Sequence, residues 1–145
     1  MNLTEDHLKE IKYYLTSFQK YIDDFPLDKV MYKEGSVVAQ ILYHVFQSAN
    51  YWLRVVIMEQ EYPRERQQEF VKVAPLEEIK ASLESALTAV EELATKEIPL
   101  DKKLGHAEPP IPKLQLTVDT VALALLHTSA HTAEHFGELH LLVDK

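Results

Sequence analysis

Residues 117–145 read TVDTVALALLHTSAHTAEHFGELHLLVDK. Val118, Val121, Leu125, Phe136, Leu139 and Val143 fall on one face when this stretch is wound as a helix, so the spacing predicts a long amphipathic helix from near Thr117 almost to the end. Such a stripe must be buried against other elements, and the rest of the chain supplies three further blocks of the same periodicity. Upstream, Leu8, Ile11, Leu15, Phe18, Ile22 and Phe25 define a first helix, with Thr4 as its N-cap, Glu5 and Asp6 at the positive end of its dipole, and Pro26 as its stop. A second helix opens after Gly35, with Ser36 as N-cap. It carries Val38, Ile41, Leu42, Val45, Ala49, Trp52 and Val56 to about Glu61, before Pro63. The third opens at Pro75 and carries Leu76, Ile79, Leu83, Leu87, Val90 and Leu93.

No segment reads convincingly as a strand. Residues 97–115, EIPLDKKLGHAEPPIPKLQ, hold four Pro and one Gly and read as a long surface crossover. It is not a domain linker, because the last helix cannot bury its stripe alone. The expected fold is therefore all-α: a four-helix bundle in one domain over residues 1–145, with a long crossover loop before the last helix.

Composition narrows the function. The chain has 145 residues, 46% hydrophobic and 26% charged, which suits one folded core. A net charge of −8 disfavours nucleic acid and anionic membrane as partners, since both call for clustered Lys and Arg. Cysteine is absent, which excludes disulfides, thiolate metal ligands and a cysteine nucleophile. The opening MNLTEDHLKE is acidic and unlike a secretory signal, and the longest apolar run, Val121 to Leu126, falls short of the roughly 18–20 residues of a transmembrane helix. A cytoplasmic location is the expectation.

The seven histidines are unevenly placed. His127, His131 and His135 follow one another at four-residue steps on the last helix, and His140 comes after them. A step of four turns about 40° and rises about 6 Å, so neighbouring imidazoles project from one side, a turn apart. Two of them can hold one metal ion if a third ligand arrives from another helix. His44 is suited to that, lying in line with Val37, Ile41, Ser48 and Val55. On the last helix the apolar arc of Ala124 and Leu142 lies between the directions of His131 and His135, which makes them the better pair. His127 turns toward Thr120, Glu134 and Glu138; it is a partner behind the ligands, an alternative ligand or a surface residue. His140 is rotated out of the site, and His7 and His106 are expected in solvent. The plain alternative is that these are hydrogen-bonded core histidines, a role that an i, i+4 pair alone does not exclude. Ser48 and Tyr51, each near the face of His44, are pocket candidates, with packing roles as the alternative. Trp52 is expected in the core. Arg54 and the basic residues of 64–72 read as solvated charge, or as partners for an acidic substrate.

Two motifs stand in order along the chain: EGSVVAQILYH from Glu34 to His44, a glycine turn with a His eight residues after the Ser, and HTAEHFGEL from His131 to Leu139. Together they resemble the DinB-like (DinB/YfiT-like) four-helix bundle family. The resemblance implies an up-down-down-up bundle and a divalent metal, zinc, nickel, iron or manganese, held by His44, His131 and His135. It implies activities among S-transferases that use a low-molecular-weight thiol such as bacillithiol, mycothiol or glutathione, and among metal-dependent hydrolases. Many members are dimers. Phe136 and Glu138 depart from residues common in the family; Glu138 either orients a histidine or is solvated, the second being favoured.

The leading expectation is a metal-dependent thiol S-transferase acting on a small-molecule substrate as a homodimer. Lacking Cys, the chain must receive the thiol as a cosubstrate. A metal-dependent hydrolase and a non-catalytic metal- or ligand-binding bundle are the alternatives.

Overall fold

The computed structural model describes residues 3–24, 37–71, 74–108 and 117–143. Helix dominates: α1 spans Leu3–Asp24, α2 Val38–Asn50, α3 Leu76–Ala94 and α4 Val121–Val143. The stripes read from the sequence are the buried faces. Ile11, Leu15 and Phe18 of α1 meet Leu42, Val45 and Phe46 of α2, Ile79, Leu83 and Leu93 of α3, and Val121, Leu125 and Leu139 of α4 in one core. Leu76, Leu87 and Phe136 pack at its margin. Among the described residues no helix is long and apolar enough to cross a membrane.

Each long helix packs chiefly against two others: α1 against α3 and α4, α2 against α3 and α4. The contacts also fix their directions. Glu10 accepts from the Ser129 hydroxyl, Phe18 packs edge-on to Phe136 and Tyr21 edge-on to His140, so α1 and α4 run the same way. Tyr43 bonds Glu78 and Arg54 reaches Glu92, so α2 and α3 also run together. His44 meets His131 while Trp52 meets His127, so α2 opposes α4. Parallel neighbours cannot be joined by a tight turn, so the chain beyond Ile57 must travel back along α2 before α3 begins. This return segment is a second long connection, besides the one expected before the last helix.

Its start is unusual. The second helix was expected to run regularly to about Glu61. Instead Tyr51–Ile57 widens into a π-helical turn, which brings Trp52, Leu53, Val56 and Ile57 all into the core. Glu59, at φ 57°, then turns the chain away, and the Gln60 N–H closes on the Arg54 carbonyl at 2.8 Å. A 3-10 helix, Arg66–Phe70, follows.

Two sequence expectations change at the far connection. Lys103–Glu108 (β1) and Val118–Thr120 (β2) form an antiparallel pair, with Lys103 opposite Thr120 and Glu108 opposite Val118, and a bulge between. A short ladder satisfies backbone groups in a region where proline forbids helix. As a result α4 starts at Val121, not near Thr117. Thr120 is its cap, the hydroxyl oxygen accepting from the Leu123 N–H at 3.3 Å. Thr4 lies inside α1 and is not its cap, because the helix already includes Leu3. Pro75 is extended and precedes α3 as its cap residue. Phe25, Pro26, Gly35 and Ser36 lie outside the described residues, as does the side chain of Val143.

Candidate metal centre

α2 presents His44 toward α4, where His131 and His135 stand on successive turns. His44 is buried and the other two are half-buried. The ring centroids are 4.9 Å apart for His44 and His131, 5.3 Å for His44 and His135, and 4.5 Å for His131 and His135. One ring nitrogen from each lies within 4.8 Å of those of the other two. His44 Nε2 is 3.0 Å from His131 Nε2. Two nitrogens on one tetrahedral zinc-like ion, each at about 2.0–2.1 Å, stand roughly 3.3 Å apart. The first pair is thus near ligand spacing, and the third nitrogen closes at most about 1.5 Å to join them.

The back sides of two rings are engaged. His44 Nδ1 is 2.9 Å from Glu69 Oε1, and His135 Nδ1 is 2.8 Å from Glu138 Oε2. A carboxylate only accepts, so each Nδ1 carries the hydrogen. In the neutral imidazole this leaves the lone pair on Nε2, the nitrogen that faces the cluster in His44.

Glu69 carried no signal in the sequence. It sits in PRERQQEFVKV, which reads as solvated charge, yet it is fully buried. The return segment folds it inward: the Arg64 Nε–H donates to Oε2 at 2.7 Å and Nη2–H to Oε1 at 2.9 Å. The Arg64 guanidinium lies 5.3 Å from the centroid of the Tyr51 ring. Phe70 packs on the His44 ring at 5.0 Å. The expectation of a solvated surface therefore fails for Arg64, whose side chain is only 10% exposed. It fails for Arg54 as well, which is tied to Asn50, Ser85 and Gln60.

Electrostatics agree with a neutral His131 and an ionised Glu69. Burial alone would raise the Glu69 pKa, but hydrogen bonds from Arg64 and His44, and the Arg64 charge, outweigh it and hold the carboxyl below its ordinary value. Burial, then the neighbouring His135, His44 and His127 and the Arg64 charge, push His131 down to about 3. His127 is also lowered, by burial and by Arg66.

The remaining candidates separate. Ser48 is buried one turn beyond His44, and Tyr51 is half-buried against the Arg64 guanidinium. His127 packs edge-on to Trp52 at 4.6 Å and stays outside the cluster. Glu138, expected to be merely solvated, is bonded to His135 although its side chain is 46% exposed, because three helical residues bring the two within reach. His140 packs on Tyr21 and Phe136, away from the cluster as expected. His7 is half-buried, not exposed, and the side chain of His106 lies outside the described residues. A cavity of about 960 Å³ opens between the start of α1 and the end of α3, lined by Leu8, Leu93, Ile98 and Leu100 among others. It shares no residue with the histidines, and the site rests on donor geometry, not on that cavity. No protein-family model, curated protein or solved structure matches this chain.

Proposed function

We propose that the chain is a metal-dependent enzyme in which His44, His131 and His135 hold one divalent ion, and that its four helices form a bundle of the DinB-like kind. The observation that carries the proposal is the convergence of three imidazole nitrogens within 4.8 Å, two of the rings being backed at Nδ1 by carboxylates. Backing of this sort is how proteins orient histidine ligands and raise their basicity. An all-imidazole set suits zinc, nickel and iron alike. Three protein ligands leave a position for a reactant, as catalytic sites do and structural sites do not. A divalent ion there would supply Lewis acidity, favouring the anionic form of a small nucleophile.

The chain's own residues bind and orient. The three histidines supply neutral nitrogens, Glu69 and Glu138 hold two of the rings, and Phe70 covers one face of His44. With no cysteine to act as nucleophile, the sulfur comes from a low-molecular-weight thiol cosubstrate. In the transfer the thiol sulfur bonds to an electrophilic carbon of a small-molecule substrate, the leaving group departs with its electron pair, and the thiol proton passes to solvent. The motif resemblance favours this over hydrolysis. It also carries the proposal of a cytoplasmic homodimer, and the −8 charge argues against nucleic acid and membrane partners.

The test is metal analysis of untagged protein after exposure to zinc, nickel, iron and manganese. The expected result is about one ion per chain, lost in the His44→Ala/His131→Ala/His135→Ala variant while helical circular dichroism persists. Equal metal in both proteins defeats the proposal. With metal established, thiol conjugation and ester or amide hydrolysis assays separate transferase from hydrolase; inactivity in both leaves the metal-binding bundle.

A further inference from the structure

We propose that Arg64 and Glu69 form a positioning pair for His44, holding its hydrogen on Nδ1 and its Nε2 lone pair toward the cluster. The inference rests on the reading of the three histidines as a metal centre and adds how one ligand is prepared. Glu69 Oε1 takes two donors, His44 Nδ1–H and Arg64 Nη2–H, while Oε2 takes Arg64 Nε–H. The two-pronged contact fixes the plane of the carboxylate as well as its position. Tyr51 beneath the guanidinium and Phe70 on the imidazole hold both ends of the chain of contacts. Every member of the pair arrives on the return segment imposed by the parallel α2 and α3.

Charge gives a reason for having two residues. A carboxylate alone behind His44 would place a negative charge near the ion and offset part of its positive charge. Arg64 neutralises that charge, so the ring is oriented with no net charge added beside the site. His135 is held differently, by a carboxylate that solvent screens.

The test uses the full chain. In the metal-free wild type, nitrogen-15 NMR is expected to find His44 protonated at Nδ1 and bare at Nε2. The Arg64→Met/Glu69→Met variant removes both charges while keeping bulk, a replacement that buried ion pairs often tolerate. In it His44 is expected to move toward the Nε2-protonated form. Zn²⁺ and Co²⁺ are expected to bind about 10–100-fold more weakly, with a shifted visible Co²⁺ band. A wild-type His44 protonated at Nε2 overturns the inference. So does a folded double variant that binds Co²⁺ within about twofold of wild type with an unmoved band. Should the double variant fail to fold, Glu69→Gln takes its place. With one oxygen for three donors it is expected to weaken Co²⁺ about threefold to tenfold, and unchanged binding overturns the inference. If the wild type binds neither metal, the metal-centre reading falls, while the tautomer measurement still decides the positioning pair.

Discussion

His44 and His135 both turn Nδ1 to a carboxylate, at 2.9 and 2.8 Å, but the two carboxylates are supplied in opposite ways. Glu138 is three residues from its histidine on the same helix and nearly half exposed. Glu69 is 25 residues from His44 in sequence and buried with an arginine. Helical geometry provides the first contact locally. The second exists only because the return segment folds over α2, so it ties the shape of that segment to one ligand. Similar hydrogen bonds therefore depend on very different amounts of surrounding structure.

Arg64→Met alone tests the buried contact most severely. It leaves Glu69 buried without its cation, and breaking a buried pair in this way costs about 3–5 kcal/mol. Urea unfolding near neutral pH is the measurement. A loss below about 1 kcal/mol would put the Arg64–Glu69 pair in the same class as an exposed one.

The same contrast explains what could be read from the sequence. The stripes of α1 to α4 were legible because burial imposes a helical period, and His44, His131 and His135 were legible because they ride on those periods. Glu138 was visible as a neighbour of His135, although its role was misjudged. Glu69 was not legible: Arg64 and Glu69 sit in an aperiodic charged stretch, and only the parallel course of α2 and α3 brings that stretch back. The β1–β2 pair was missed for a related reason. Its strands are short, and they flank a proline cluster that reads as loop. The start of α4 reads as near Thr117 because Val118 and Val121 share its apolar face, and only the strand pairing moves it to Val121 with Thr120 as cap.

His131 is the candidate ligand with no carboxylate partner among the described residues. Its ordinary value of 6.5 falls to about 3 in the folded chain, chiefly through burial. Above pH 6.5 both folded and unfolded chains hold it neutral, and its contribution is constant. As pH falls below 6.5 the unfolded chain takes up a proton that the folded chain refuses until about pH 3, so stability is lost over that window. The slope is at most about 1.4 kcal/mol per pH unit, or about 2 kcal/mol between pH 6.5 and 5. Urea midpoints of the metal-free wild type should fall over this range more steeply than those of His131→Leu. Equal slopes would mean that His131 takes up a proton without cost and that its burial is not what keeps it neutral.

Glu138→Ala carries the smallest expected effect. The carboxylate is exposed, so water replaces it behind His135, and exposed pairs contribute little. Stability should change by less than about 0.5 kcal/mol. Co²⁺ affinity should fall by less than about tenfold, short of the loss expected for Arg64→Met/Glu69→Met. Burial is the reason for the gap: nothing replaces Glu69 when it is removed, whereas solvent already competes for the bond to Glu138. If Glu138→Ala weakens Co²⁺ as much as the buried double variant does, solvent is not substituting. The two carboxylates would then matter equally to the ligands, whatever their difference in exposure.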